Sequence, residues 1–141
     1  MTLPWWFFAL ASAGAAAATA ILAKIGVAGV PSNLATAVRT VVVVFFSWVL
    51  VFATGEQAGL KDLKGKTLWF LLLSGIATGL SWMAYFKALQ MAEVSRVAPI
   101  DKLSLPITVL LAALFLGERP GWRMVLGVSL MAAGALLTLK K

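Results

Sequence analysis

The stretch Ser95–Glu118, SRVAPIDKLSLPITVLLAALFLGE, decides the fold. It is apolar enough to cross a bilayer, yet it carries Asp101, Lys102 and the prolines Pro99 and Pro106. Charges taken into hydrocarbon must turn toward protein or water, because one at a helix centre costs about 2.5–3.5 kcal/mol on insertion scales. Reading Ser95 as an N-cap puts Pro99 in the first turn, where a missing N–H is harmless. Pro106 lies deeper, removes the bond to the Lys102 carbonyl, and is expected to kink the helix beside the charged pair. The carbonyl it frees needs a partner, so this backbone is expected to face protein or a water-filled cavity. Asp101, Ser104 and Thr108 follow at steps of three and four, which places them on one helix face.

The rest of the chain has the same solvent. Its 141 residues are 62% hydrophobic, with a mean hydropathy of +0.98, far above a soluble domain. A spanning helix needs about 20 apolar residues, and windows of that kind cover 4–23, 34–54, 67–91, 97–117 and 122–139. The expected fold is an all-α membrane protein, a single domain over 1–141 built as a bundle of five transmembrane helices. The loops are too short to hold a soluble catalytic or binding domain. The Ala-rich first window offers small-residue cleavage sites. It is read as a retained helix, because no Lys or Arg precedes it and Ile21 and Leu22 continue it.

The chain has no cysteine and no histidine, which removes disulfides, zinc sites of the usual kind, thiol nucleophiles and imidazole chemistry. No metal, no cofactor and no enzyme activity are expected. Of the five acids, Glu56 and Asp62 fall in a polar loop, leaving Glu93, Asp101 and Glu118 near or within the membrane. The net charge of +7 is read as lipid-headgroup contact and topology signal rather than nucleic-acid binding, since no broad basic surface exists.

Each of the first four windows owns a small or polar stripe. The first opens with Trp5 and Trp6, suited to the headgroup zone, continues through an alanine-rich interior and ends near Lys24, with Asn33 capping the next helix. The second carries Arg39 with Thr36, Thr40 and Ser47. The third carries the pair Gly75 and Gly79, a spacing that permits tight helix crossing, and the stripe Ser74, Thr78, Ser81 and Tyr85 beside Trp82. The fifth has mainly a packing face of Gly127, Ser129, Ala133 and Gly134 before Lys140 and Lys141. The expected arrangement is a bundle with a hydrated centre and the fifth helix outside it.

Arg39, Lys87, Asp101 and Lys102 gather toward one membrane face. Arg39 and Asp101 read as an internal ion pair, because a carboxylate is too short to snorkel. Lys87 and Lys102 either join that gate or reach for headgroups. Trp82 and Tyr85 either stack on a substrate or fill the bundle. Thr40, Thr78, Ser104 and Thr108 either coordinate substrate or bond between helices. Glu118 forms a boundary ion pair with Arg119 or a cap, and the other option is proton coupling, for which Asp101 is also a candidate.

Orientation is balanced. One side holds Lys61, Lys64, Lys66, Arg119 and Arg123, and the other holds Lys24, Arg96, Lys102, Lys140 and Lys141, with Arg39 and Lys87 inside helices near that second side. Since Lys/Arg asymmetry sets topology, so even a chain is expected to insert both ways. An odd-spanning repeat inserted both ways can build an antiparallel homodimer with the inverted-repeat symmetry of many carriers.

Several segments together are distinctive: AKIG at Ala23–Gly26, Arg39, LSGIATGLSW at Leu73–Trp82, YFKALQ at Tyr85–Gln90, SRVAPIDKLS at Ser95–Ser104 and LFLGE at Leu114–Glu118. Over essentially its whole length the chain resembles one EamA repeat of the drug/metabolite transporter superfamily, in the half-sized, five-span bacterial/archaeal transporter group. Most members carry two such repeats. The resemblance implies a multi-pass secondary carrier or exporter of a small molecule, in a bacterial or archaeal inner membrane, with alternating access and a homodimer in place of the second repeat. Two other readings stand beside it: a flippase-like translocator of lipid-linked groups, and a non-transporting membrane subunit of a larger complex.

Overall fold

The run Val41–Val44 has the β-branched character of a strand, but a lipid-embedded segment must satisfy its own backbone hydrogen bonds, and in the computed structural model of the protein it is helical. Residues 3–139 are described, and among them no strand occurs. The helices are α1 (Trp5–Gly26), α2 (Ser32–Thr54), α3 (Gly65–Met91), α4 (Val94–Asp101), α5 (Ser104–Leu111) and α6 (Trp122–Leu137). A short 3₁₀ segment, Glu56–Asp62, joins α2 to α3, and a π-helical turn, Ala112–Leu116, extends α5. With α4, α5 and that turn read as one broken span, four segments are long and apolar enough to cross a membrane. The fold is thus an all-α membrane bundle of about five helices. At 16 residues α6 reaches about 24 Å, short of a hydrocarbon core of about 30 Å. Lys140 and Lys141, expected at its exit, lie outside the described residues.

The chain divides into two compact units, Leu22–Gln90 and Met1–Ile21 with Met91–Lys141. In the first, burial collects where the end of α1, the start of α2 and the end of α3 meet: Ala23, Val27, Thr36, Phe86 and Leu89 are buried, and Leu89 is wholly inaccessible. In the second, α6 packs on α4 and α5. Most of the long apolar side chains are exposed, as lipid solvation requires. A Cβ added at Gly75 or Gly79 would meet nothing within 4 Å, so the tight crossing expected there is not made within the Leu22–Gln90 unit.

Local chemistry explains the ends. Gly55 adopts φ +74° and closes α2, its N–H returning to the Val51 and Phe52 carbonyls, a left-handed stop that glycine makes without strain. Gly117, φ +69°, ends the π-helical turn in the same way, and the Glu118 N–H donates to the Ala112 carbonyl at 3.3 Å. The LGE segment is therefore a helix stop. Several expected termini move. α1 continues past Lys24 to Gly26, α2 begins at Ser32 after Pro31 so that Asn33 is already helical, and α4 is capped by Glu93 rather than Ser95. Pro99 consequently sits in the second turn of α4.

The break in the fourth span comes at Lys102 and Leu103, between α4 and α5. Pro106 falls in the first turn of α5, where its absent N–H has no intrahelical role. The Lys102 carbonyl, expected to be orphaned, accepts from the Leu105 N–H at 3.0 Å, and the Leu103 N–H donates to the Ile100 carbonyl at 3.0 Å. Two 3₁₀-type bonds thus repair the break locally, so the proline does not by itself demand a hydrated neighbour.

Candidate functional site

Within the Leu22–Gln90 unit, α2 and α3 bring a cation onto an aromatic platform. The Arg39 guanidinium carbon lies 4.1 Å from the Trp82 ring centroid and 5.6 Å from that of Phe86, inside the range in which a ring face attracts a cation. Tyr85 adjoins them, its ring 6.5 Å from Phe86 at 67°. Arg39, Trp82 and Tyr85 are half-buried and Phe86 is buried. The sequence places Trp82 and Tyr85 on a polar stripe; Phe86, which completes the platform, was not among the expected site residues, although it follows Trp82 by four positions on the same helix face.

Two side chains that sequence reasoning passed over hold this end of the unit together. The Lys24 ammonium, at the end of α1, donates to the Leu89 carbonyl in the last turn of α3, where a cation also meets the negative end of the helix dipole. The Gln90 amide donates back to the Val30 carbonyl and, at 3.5 Å, to that of Val27 in the α1–α2 loop. An open cavity of about 520 Å³ is lined by these groups together with Ala28, Gly29 and Pro31. Partners 60 or more positions apart leave no trace in the local pattern of one sequence.

In the other unit, the Asp101 carboxylate meets the Lys102 ammonium at 3.2 Å, at the break between α4 and α5. Arg39 and Asp101 were expected to pair with each other; the partner each has within its own unit is Trp82 for the one and Lys102 for the other. Lys87 is exposed. Among the described residues Glu118 makes no ion pair with Arg119, and its backbone serves the cap described above.

The hydroxyls turn inward along their own helices. Thr40 donates to the Thr36 carbonyl at 2.8 Å, Thr78 to Ser74 at 2.9 Å and Thr108 to Ser104 at 2.8 Å. These are one-turn back-bonds, not the interhelical bonds that were one of the two expectations. Each hydroxyl oxygen keeps lone pairs that can accept a further hydrogen bond. Among the described residues no cluster of acidic side chains could hold a metal.

The profile of the EamA-like transporter family matches residues 3–140. The protein named "Uncharacterized transporter in cobO 3′ region", of Sinorhizobium sp, is 48% identical over 137 residues, 97% of each chain. A riboflavin transporter of Rhizobium johnstonii is 31% identical over 99 residues, 66% of this chain and 33% of its own. A riboflavin transporter of Vibrio cholerae is 38% identical over 69 residues, 48% of this chain and 23% of its own. No solved structure matches.

Proposed function

The chain belongs to the EamA-like transporter family, and from that premise we propose a secondary transporter or exporter of a small metabolite or drug, working by alternating access as a homodimer. The observation that carries the reading is the family match from residue 3 to residue 140, joined by a relative named as a transporter that aligns over 97% of its own length. In the two riboflavin transporters the matched segments are a third or less of the chain; here a second copy supplies the counterpart of the remaining length. The balanced Lys/Arg distribution favours an antiparallel pair in the cytoplasmic membrane of a bacterium or archaeon.

Within the Leu22–Gln90 unit, Arg39, Trp82 and Tyr85 offer the substrate a cation and rings, Thr40 and Thr78 offer hydroxyl acceptors, and Lys87 stands at the end; in the other unit, Ser104 and Thr108 offer the same kind of acceptor beside Lys102. Asp101 exchanges partners during the cycle at the break between α4 and α5, where a short irregular segment gives a natural hinge. Glu118 or Asp101 carries the coupling proton.

Counterflow in proteoliposomes tests transport, with labelled riboflavin as the first probe because of the two relatives and an aromatic carboxylate as the second. Accumulation above empty vesicles supports the carrier, and none with either probe under an imposed pH gradient or its reverse counts against it. Mass measurement in lipid nanodiscs tests the pair, and C-terminal reporter fusions test its geometry: activity on one side of the membrane only removes the antiparallel arrangement.

A further inference from the structure

We infer that Arg39 and the Trp82–Phe86 platform form a binding site for a small organic anion: the guanidinium takes a carboxylate or phosphate and the rings take the apolar body. The inference rests on the transporter reading only in making that anion the cargo.

The charge inventory comes first. Helices α1, α2 and α3 together contain Lys24, Arg39, Lys66 and Lys87 and no Asp or Glu. Lys24, Arg39 and Lys87 lie toward one end, where the Lys24–Leu89 and Gln90–Val30 hydrogen bonds join the three helices. A lipid-facing unit with several cations and no fixed carboxylate in its spans attracts anions.

Depth separates Arg39 from an ordinary headgroup cation. It stands seven positions into α2, about 10 Å along the axis. On α3, Trp82 is nine positions from the end at Met91 and Phe86 is five, so the two rings lie about 13 and 7 Å inside. The guanidinium is 4.1 Å from the deeper ring and 5.6 Å from the shallower. A snorkelling arginine would favour the shallower one. This side chain therefore leans into the span.

The bonding pattern leaves the right atoms open. A cation–π contact uses the positive charge above the ring and none of the N–H donors at the guanidinium edge. Among the described residues no hydrogen bond or ion pair engages those donors; Arg39 contacts the Trp82 and Phe86 rings and interacts electrostatically with Tyr85. A planar fork held against an indole is preorganised for two parallel bonds to one carboxylate or phosphate. Phosphate of a lipid headgroup offers the same oxygens, but a headgroup stays at the interface while the guanidinium leans away from it.

Equilibrium binding to the whole protein in phosphatidylcholine nanodiscs decides the matter without requiring flux, using indole-3-acetate and tryptamine as an anion and an amine on one ring. Indole-3-acetate is expected to bind at least about tenfold more tightly than tryptamine, and Arg39→Gln to weaken it by at least about tenfold, the loss of a charge-assisted contact. Trp82→Leu should weaken both probes. Equal binding of the two by the unaltered protein overturns the inference even if Arg39→Gln fails to fold. So does retention only of phosphatidylglycerol, in nanodiscs that contain it, with no indole-3-acetate binding, which would assign Arg39 to a headgroup. If indole-3-acetate binds as expected but never crosses a proteoliposome membrane, the anion site stands and the carrier reading falls.

Discussion

The Arg39 guanidinium rests 4.1 Å from the centre of the Trp82 indole, and in that contact a membrane-embedded cation is stabilised without a carboxylate. Cation–π pairs contribute about 0.5–1 kcal/mol when exposed and about 2 when desolvated. A double-mutant cycle of Arg39→Gln and Trp82→Leu, read from thermal or denaturant unfolding in detergent, should give a coupling of about 1–2 kcal/mol for this half-buried pair. Arg39→Lys should keep part of the stability but lose the bidentate edge. A coupling indistinguishable from zero would mean that the two side chains are merely adjacent.

The Gln90 amide ties the end of α3 to the α1–α2 loop through the Val30 and Val27 carbonyls. Gln90→Leu keeps the size and removes the donors; because Gln90 is exposed and water can reach the freed carbonyls, the cost is about 0.5–1.5 kcal/mol. The expected readout is local as well as global: faster hydrogen exchange over residues 27–31 than in the unaltered protein, with α2 beyond Arg39 unchanged. Uniformly raised exchange along α2 would argue against a local tie.

Pro106 stands in the first turn of α5, with the Lys102 carbonyl already satisfied by the Leu105 N–H at 3.0 Å. Pro106→Ala supplies an N–H that can bond that carbonyl across one full turn and fuse α4 with α5. Because the proline already sits in a first turn, where it is tolerated, the change in stability is expected to be small, less than about 1 kcal/mol in either direction, while flux falls if the break serves as a hinge. A fully active variant would show that the break has no part in the cycle.

The order of long apolar helices was legible because a bilayer admits few alternatives, and the fourth span announced its own break through Pro106. The exact termini were not. Gly26, Pro31 and Glu93 became helix ends or caps through backbone geometry that Asn33 and Ser95, better N-capping types than Pro31 and Glu93, did not override. The site divides the same way. Arg39 and Trp82 were singled out separately, one as a buried charge and one as a ring away from the interface, but their pairing is a property of how α2 meets α3. Lys24 and Gln90 looked like ordinary helix-end residues until distant carbonyls came within reach.

Asp101 and Lys102 face each other at 3.2 Å with side chains 34% and 53% exposed, and so exposed a pair contributes only about 0–1 kcal/mol to stability. That small value makes Asp101 a clean test of mechanism. Asp101→Asn keeps size and hydrogen-bonding capacity but removes the charge, so unfolding should shift little, by less than about 1 kcal/mol. Flux should nevertheless fall by at least about tenfold if the carboxylate exchanges partners or carries a proton, since each such step loses the interaction that drives it. Lys102→Gln separates the two roles. A proton carrier keeps its dependence on an imposed pH gradient without Lys102, whereas an ion-pair gate loses its closed state and leaks in both directions. Unchanged flux in Asp101→Asn at unchanged stability would remove Asp101 from the transport cycle and leave it as a polar flank of the helix break.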